Sequence, residues 1–396
     1  MLIQEANRLQ NIHEYYFSVK LRQIAEINKA GLNVINIGIG SPDMNPPDVA
    51  IAALIETAQK KGIHGYQGYK GTNEFREGIV SWYKRIYKVD LNAETEILPL
   101  IGSKEGIAHI SLAFINENDK VLVPDPGYPT YTSVSNLVGA QVITYDLSEE
   151  NNWEIDLNQI VQLADEGIRM MWINYPHMPT GINANETVIS KLIKIAQEKK
   201  FLIVNDNPYS TILTNHHFSI FKLAGAKEVC LELNSLSKSH NMAGWRLGWV
   251  AGDASYINSI LKVKSNMDSG MFLGLQNAAA AALKMDAEWI KSVNDEYKKR
   301  RKIVWKILLS LGCTFSKEQS GLFVWGKIPP AFTNGNEYAD KILREAHVFI
   351  TPGFIFGKNG DQYLRVSLCS NTAILAESLK RIESRTCGIK TNRIKI

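Results

Sequence analysis

Cysteine is scarce in this sequence, and the few cysteines present are far apart. The 396 residues include four of them, Cys230, Cys313, Cys369 and Cys387, and no two form a CxxC pair. This spacing argues against a disulfide framework and against a zinc site, so we expect no bound metal. A chain without structural disulfides suits a reducing compartment, and the cytoplasm is the expected location.

The sequence also lacks long apolar runs and a strong charge of either sign. No apolar run reaches the roughly 18 residues that a membrane-spanning helix needs, and Met1–Lys20 is too polar for a secretion signal. The net charge of +4 is small for this length, so neither nucleic acid nor a membrane is an expected partner. The basic residues Lys390, Arg393 and Lys395 are expected to lie in a frayed end.

The sequence does contain a regular alternation of apolar runs and amphipathic segments. The runs predict seven strands at Ile97–Ile101, Val121–Val123, Gln141–Tyr145, Met170–Ile173, Phe201–Val204, Val229–Leu233 and Trp245–Ala251. The segments between them predict helices at Lys104–Phe114, Thr130–Val138, Leu157–Leu163 and Glu186–Lys199. This alternation is typical of an α/β fold in which helices cover both faces of a mainly parallel seven-stranded sheet.

The C-terminal part has a different pattern, which predicts a second, smaller domain. A long charged helix at Trp289–Leu311 leads into an α+β unit with short strands at Gly321–Trp325, Val348–Thr351 and Tyr363–Ser367. A chain of this length is also long for a single core. The predicted division is an N-terminal arm and joining segment (1–45), a large α/β domain (46–286) and a small α+β domain (287–396).

The most informative stretch is Asn234–Trp249, in which a lysine follows a predicted strand. Lys238 comes after the apolar run Val229–Leu233 and before another run, so its amine is expected at a strand end inside the protein. Most lysines only solvate a surface, but burial lowers the pKa of an amine and lets it condense with an aldehyde. Ser235 and Arg246 nearby suit a phosphate group. An amine beside a phosphate clamp describes a site for pyridoxal 5'-phosphate (PLP).

Other candidate residues follow other predicted strands, where parallel sheets bind their ligands. They are Gly40, Ser103 and Lys104, Tyr128 in D-P-G-Y-P-T-Y, Asn174 and Met178 in N-Y-P-H-M-P-T-G, Asp206 and Tyr209 in D-N-P-Y, and Arg365 in a C-terminal strand. Each has an ordinary alternative, such as a Gly-Pro turn for Gly40, a packed loop tyrosine for Tyr128 or a helix cap for Asp206. Arg365, in an apolar strand, must reach either water or an anion.

In this order the residues resemble the class I and II aminotransferases, fold type I PLP enzymes of the aspartate aminotransferase superfamily. The resemblance covers nearly the whole chain. Its most specific part is S-x-S-K followed by G-W-R-x-G, which Ser235, Lys238 and Arg246 carry.

The resemblance implies roles at the cofactor. Lys238 would form the aldimine with PLP and then move the proton, and Asp206 would keep the ring nitrogen protonated. Tyr209 would hydrogen-bond the phenolic oxygen of PLP, and Tyr128 would stack on its ring. The phosphate would be held by Ser103, Lys104, Ser235 and Arg246, and by Tyr66 of the other subunit, which implies a homodimer with shared sites.

The resemblance also implies how the substrate binds. Arg365 would bind the α-carboxylate with both arms of its guanidinium group, with Gly40, Asn174 and Met178 beside it. The expected reaction is a ping-pong transamination, in which an amino acid gives its amino group to the cofactor and a 2-oxo acid then accepts it, 2-oxoglutarate being the family default.

One position departs from the family pattern. The family's turn usually reads N-P-T-G, and its asparagine donates to the phenolic oxygen of PLP, whereas this chain has Met178, which has no donor to offer. The phenolate then keeps more negative charge, so the pKa of the neighbouring imine should rise, unless His177 or Asn174 compensates. The bond before Pro179 is expected to be cis, as it often is in the family.

Other activities remain open on the same residues. A β-lyase that eliminates sulfur, or a decarboxylase, would use the same cofactor and Arg365. A non-catalytic PLP-sensing regulator would need a DNA-binding module, for which the sequence has no room. The turn Lys264–Gly270 weakly resembles the diaminopimelate and alanine branches of the superfamily, and the sequence does not identify the substrate.

Overall fold

A computed structural model describes residues 3–10, 12, 14 and 16–386 of the chain. Cys387 and the basic residues Lys390, Arg393 and Lys395 lie outside the described residues. Cys230, Cys313 and Cys369 are free and buried. No described helix combines the length and the apolar character that crossing a membrane requires.

The strands form one large and two small sheets. They are β1 (Ile35–Asn36), β2 (Ile97–Leu100), β3 (Lys120–Asp125), β4 (Gln141–Asp146), β5 (Ile168–Ile173), β6 (Leu202–Asp206), β7 (Cys230–Ser235), β8 (Gly248–Gly252), β9 (Phe323–Lys327), β10 (Val348–Phe349), β11 (Thr351–Pro352) and β12 (Tyr363–Ser367). The large sheet has seven strands in the order β2-β8-β7-β6-β5-β3-β4. Within it β8 is antiparallel to both neighbours and the other pairs are parallel, so the predicted mainly parallel α/β fold is confirmed.

Helices cover this sheet and build much of the remaining chain. They are α1 (Tyr16–Lys29), α2 (Asp48–Ala58), α3 (Asn73–Trp82), α4 (Ser103–Phe114), α5 (Pro129–Leu137), α6 (Leu157–Asp165), α7 (Glu186–Lys199), α8 (Ala226–Val229), α9 (Leu236–Ser239), α10 (Ala254–Lys264), α11 (Leu273–Ala282), α12 (Ala287–Ser310), α13 (Gly335–Ala346) and α14 (Thr372–Thr386). A π-helical turn at Tyr83–Tyr87 extends α3. The predicted helices between the strands are confirmed within a few residues at each end.

Helix α7 shows how the sequence sets these elements. The side chain of Asn185 caps its first turn by accepting from the backbone N–H groups of Thr187 and Val188. Residues Ile189, Leu192, Ile193 and Ala196 recur at helical spacing and are buried. The helix ends where Lys200 adopts a left-handed conformation with φ of 60°.

The core lies on both faces of the large sheet. In β5, Met170 and Trp172 belong to the cluster on one face, whereas Met171 and Ile173 belong to the cluster on the other. All four side chains are buried, as expected of a parallel strand covered twice. This explains why the strand reads as an unbroken apolar run in the sequence.

Two small sheets involve the C-terminal part of the chain. Strand β1 pairs in parallel with β10, and β11, β12 and β9 form an antiparallel sheet. The predicted strand Val348–Thr351 is therefore wrong in one respect, because the chain passes from one sheet to the other at Ile350. Trp245 was expected to begin a strand but lies in a short 3₁₀ turn, and β8 begins at Gly248.

The parallel arrangement brings the carboxyl ends of β2, β3, β5, β6 and β7 to one edge of the large sheet. The antiparallel strand β8 begins at that same edge. Candidate residues that are far apart in the chain therefore follow neighbouring strand ends. The bond between Met178 and Pro179 is cis, as expected.

Candidate active site

A cavity of about 610 Å³ opens at this edge of the large sheet. Its lining includes most of the predicted site residues, namely Gly40, Ser103, Lys104, Tyr128, Asn174, Met178, Asp206, Tyr209, Ser235, Lys238, Arg246 and Arg365. The volume lies within the range of about 300–1,000 Å³ that is usual for small-molecule sites. Tyr66 is not among these lining residues, and 93% of its surface is exposed.

Lys238 lies in α9, a single helical turn that directly follows β7. Its Nζ donates a hydrogen bond to the carbonyl oxygen of Gly40 at 2.6 Å. Burial lowers the pKa of the Lys238 amine, and the positive charges of Arg365 and Arg246 lower it further. The lysine is therefore an amine that can react as a nucleophile, as its position after a buried strand predicted.

Asp206 ends β6 and is buried. Its Oδ2 accepts a hydrogen bond from the Tyr131 hydroxyl at 2.8 Å, whereas its Oδ1 is buried without a hydrogen-bond partner among the described residues. Burial raises the pKa of Asp206 to about 6, although the bond from Tyr131 lowers it. A buried carboxylate oxygen without a donor fits a cationic N–H group of a bound ligand.

Tyr131 is a residue of this site that the sequence reasoning missed. Its ring stacks on Trp172 with a centroid distance of 5.0 Å and an interplanar angle of 4°, which fixes the hydroxyl under Asp206. The signal was present in the motif Y-P-T-Y, because Tyr131 comes three residues after Tyr128 at the start of α5.

Gly102 and Arg246 form the side of the cavity at the start of α4. Gly102 has φ of +83°, and a Cβ atom there would lie 2.2 Å from Nη2 of Arg246. The guanidinium group therefore lies directly against the backbone that leads into Ser103, the first residue of α4. The N–H groups at a helix start, an arginine and the hydroxyl of Ser235 together suit a phosphate.

Arg365 is buried in β12 on the other side of the cavity. Its Nη2 donates to the carbonyl oxygen of Gly38 at 3.0 Å, and its Nη1 lies 3.1 Å from the sulfur of Met178. The guanidinium carbon is 3.8 Å from the ring centre of Phe323 and 4.6 Å from that of Phe356. These contacts hold a cation in a largely apolar wall, which favours an anionic ligand.

The two residues considered as substitutes for the missing asparagine are occupied in other ways. Asn174 lines the cavity, but its amide nitrogen donates to the Asp206 carbonyl oxygen and its Oδ1 accepts from the Met178 N–H at 2.8 Å. His177 is buried outside the cavity lining, with Nδ1 2.8 Å from the Thr180 hydroxyl. Asn174 therefore fixes the strand end and the turn.

Two tyrosines complete the aromatic part of the lining. Tyr209 packs edge-on against Phe323 with a centroid distance of 6.1 Å, and burial raises the pKa of its hydroxyl, so that it stays a hydrogen-bond donor. Tyr128 packs edge-on against Tyr131 at 5.5 Å. Both rings border the space next to Asp206 and Lys238.

A second polar cluster lies outside this lining. One ligand-type atom each from Glu105, His109 and Asp268 lie within 4.8 Å of one another. Lys264 already binds both carboxylate oxygens of Asp268, at 2.8 and 2.6 Å. Asp268 is therefore already paired with a cation, and Glu105 with His109 lies beside this ion pair.

These residues fit PLP group by group. Lys238 offers an amine for an aldehyde, Asp206 Oδ1 lacks a donor that a pyridine nitrogen with its proton could supply, and the start of α4 beside Arg246 suits a phosphate. A plain amine, an orphaned acceptor and an anion site in one cavity match the three reactive parts of this cofactor.

The comparisons with known proteins cover nearly the whole chain. It is 40% identical over 382 residues to an LL-diaminopimelate aminotransferase of Oleidesulfovibrio alaskensis, covering 96% of this chain and 98% of the relative. It is 37% identical to the LL-diaminopimelate aminotransferase of Aquifex aeolicus, covering 97% and 99%.

Solved structures give the same picture. Substrate-bound BacF from Bacillus subtilis superposes with a TM-score of 0.91 at 34% identity, covering 97% of this chain and 98% of that one. An aminotransferase from Staphylococcus aureus superposes with a TM-score of 0.87 at 28% identity, covering 96% and 99%. Residues 33–382 match the family described as aminotransferase class I and II. The chain therefore belongs to the class I and II aminotransferases, whose members use PLP, and is an amino-acid aminotransferase.

Proposed function

We propose that this chain binds PLP at Lys238 and transfers an α-amino group from an amino acid to a 2-oxo acid in two half-reactions. The observation that carries the proposal is the meeting of three groups in one cavity: the amine of Lys238, the buried Oδ1 of Asp206 and the guanidinium group of Arg365. Bound PLP supplies a conjugated ring that accepts the electrons left on the substrate α-carbon.

Lys238 acts as the covalent anchor and as the base. Burial lowers the pKa of this amine, which favours its neutral form, and the neutral amine can accept the α-proton of the substrate and return it. Asp206, held in place by the hydrogen bond from Tyr131, would pair with the protonated ring nitrogen of the cofactor. Tyr209 would donate a hydrogen bond to the phenolic oxygen of the cofactor, and Tyr128 would stack on its ring.

The start of α4 would hold the phosphate of the cofactor. Ser103 and Lys104 would contribute backbone N–H groups, Ser235 its hydroxyl and Arg246 its guanidinium group. Tyr66 contributes from the partner subunit of a homodimer, and its exposure of 93% supports a role outside its own cavity.

The homodimer, the division at residues 45 and 286 and a cytoplasmic location stay predictions.

The substrate binds by its α-carboxylate to Arg365. Met178 lies against the guanidinium group, and the backbone of Gly40 lies against the Lys238 amine, so both border the reacting amino acid. Asn174 supports this wall through its bonds to the backbone of Met178 and Asp206. The 2-oxo acid of the second half-reaction uses the same carboxylate site.

The test is the absorbance of the purified holoenzyme with single amino acids and no acceptor. Bleaching of the yellow cofactor band, with one 2-oxo acid formed per site, supports transamination, and the names of the relatives make LL-diaminopimelate one of the first donors to try. A band that persists while pyruvate and ammonia accumulate contradicts it in favour of a β-lyase. Lys238→Ala is the control and should show neither change.

A further inference from the structure

Arg365 and Lys238 both contact the short backbone segment Gly38–Gly40, which borders the space for the substrate. Arg365 Nη2 binds the Gly38 carbonyl oxygen at 3.0 Å, and Lys238 Nζ binds the Gly40 carbonyl oxygen at 2.6 Å. An amino acid with its carboxylate at Arg365 and its α-carbon at Lys238 therefore lies along Gly38–Gly40. Ile39, which lines the cavity between these two carbonyl groups, borders its side chain.

The wall next to this segment is apolar. Phe17 and Leu21, one turn apart in α1, line the cavity together with Ile39 and Phe356. The Phe17 ring centre lies 5.7 Å from the guanidinium carbon of Arg365. We call these four residues the apolar wall.

Helix α1 is fastened where it carries this wall. The Tyr16 ring packs edge-on against Phe354 with a centroid distance of 5.6 Å. Lys20 forms a partly buried ion pair with Asp340 at 3.2 Å. These two contacts fix the position of α1, and with it the position of Phe17 and Leu21 in the apolar wall.

The charged groups of the lining have other tasks. Among the described lining residues Asp206 is the single carboxylate, and it is held by Tyr131 where the ring nitrogen of the cofactor binds. Lys238 and Arg365 serve the reaction and the α-carboxylate. The lining from this chain therefore offers no carboxylate to a second ammonium group at the far end of a substrate, and such a charge against the apolar wall is costly.

We propose that the amino donor of this enzyme has an apolar, uncharged side chain, best an aromatic ring, which packs on the apolar wall. The proposal rests on the function proposed above. The proposed donor differs from LL-diaminopimelate, the substrate that the names of the relatives give. LL-diaminopimelate carries an ammonium group and a carboxylate at its far end. Aromatic rings pack edge-to-face with the phenyl groups of Phe17 and Phe356.

The first experiment measures binding of unreactive mimics to the holoenzyme by calorimetry. The mimics are 3-phenylpropanoate, which is phenylalanine without its amino group, and pimelate, which is diaminopimelate without its two amino groups. We expect 3-phenylpropanoate to bind about tenfold tighter or more, because its phenyl ring buries apolar surface on the apolar wall whereas the second carboxylate of pimelate must lose water there. Tighter binding of pimelate overturns the proposal.

Two arginine substitutions on the same helix localise the effect. Leu21→Arg places a cation in the apolar wall and should weaken 3-phenylpropanoate about tenfold while pimelate gains. Val19→Arg is the matched control, because Val19 is exposed to a similar degree, 46% against 44% for Leu21, and does not line the cavity. Equal effects of the two substitutions on both mimics contradict the proposal.

Half-reactions separate this proposal from the function on which it rests. Cofactor bleaching by phenylalanine, with none or far less by LL-diaminopimelate, supports both. Faster bleaching by LL-diaminopimelate keeps the aminotransferase and overturns the apolar donor. Bleaching by no amino acid at all contradicts the proposed function itself.

Discussion

The buried carboxylate of Asp206 destabilises the folded protein as long as no ligand donates a hydrogen bond to it. Its Oδ1 has no described hydrogen-bond partner, and burial raises its pKa to about 6 from a usual 3.8. Because the folded value lies above the unfolded value, the cost appears as pH rises through this interval and is constant above it. Such a group favours binding of a cation over stability of the free protein.

We therefore expect Asp206→Asn to stabilise the cofactor-free protein. The gain in free energy of unfolding should be about 3 kcal/mol at pH 8, and roughly half of that at pH 5, because the wild-type carboxyl is then largely protonated. Denaturant unfolding of the cofactor-free proteins at both pH values measures it. A gain that does not change with pH would mean that the carboxyl group is not its source.

Met178 allows a second test at the scale of one residue. Met178→Asn restores a donor beside the proposed phenolic oxygen and should lower the pKa at which the holoenzyme changes colour. Met178→Leu is the matched control, since it keeps the volume without adding a donor and should leave that pKa unchanged. Leucine also removes the sulfur that lies 3.1 Å from Nη1 of Arg365. The KM of Met178→Leu for the amino donor should therefore rise a few-fold. An unchanged spectroscopic pKa in Met178→Asn refutes the hypothesis.

The site residues that the sequence predicted have a local sequence pattern that marks them, whereas the missed residue has none that marks its role. Lys238 and Asp206 follow apolar runs and Arg365 lies in an apolar strand, where a charged side chain without a partner is costly, and the resemblance to the class I and II aminotransferases gave their roles. Tyr131 was missed because its partner, Asp206, is 75 residues away in the chain. Nothing local marks a tyrosine as the hydrogen-bond donor to a carboxylate on another strand.

Among the elements, the loop that follows the 3₁₀ turn Gly353–Phe356 connects the small sheets to β3. Asp125, the last residue of β3, accepts from the N–H groups of Lys358 and Asn359 at 3.0 and 2.9 Å. Gly357 has φ of +136°, and a Cβ atom there would lie 2.1 Å from Asp125 Oδ1. This contact fixes the neighbouring Phe356 over the cavity.

We expect Gly357→Ala to destabilise the protein by about 3 kcal/mol or more, because it adds a clash to the unfavourable backbone angle. Gly62→Ala is the matched control: Gly62 has φ of +82° with nothing within 4 Å of an added Cβ, and should cost about 1 kcal/mol. Denaturant unfolding of both variants gives the difference. Equal losses would mean that the contact with Asp125 adds nothing.

The strands of the large sheet could be predicted because burial on both faces leaves an apolar run that local sequence displays. The small strands could not be placed as well. Val348–Phe349 pairs with β1 and Thr351–Pro352 pairs with β12, so the break at Ile350 depends on partners in two other parts of the chain. The sequence from Val348 to Thr351 is a continuous run of apolar and β-branched residues, and it does not indicate that the chain changes sheet at Ile350.

At the scale of the whole molecule, the proposed homodimer predicts complementation between two defective chains. Lys238→Ala should be inactive and Tyr66→Ala strongly impaired, since each lacks one part of every site. Mixed dimers of the two should regain activity, about a quarter of wild type for the mixture at most, because one site per mixed dimer has both Lys238 and the partner's Tyr66. Assay of the refolded mixture tests this, and no activity beyond that of Tyr66→Ala would show that the tyrosine acts on its own subunit or not at all.

The pairing of β1 with β10 also has a consequence for biosynthesis. Gly38, whose carbonyl group binds both the Thr351 hydroxyl and Arg365, is 313 residues away from Thr351 in the chain. On the ribosome the strand before Lys238 can form early, whereas the segment Gly38–Gly40 waits for the last part of the chain before it can take its place. Translation products that stop short of residue 351 therefore carry the reactive lysine without a finished pocket, and the cofactor meets a complete site only once synthesis is nearly over.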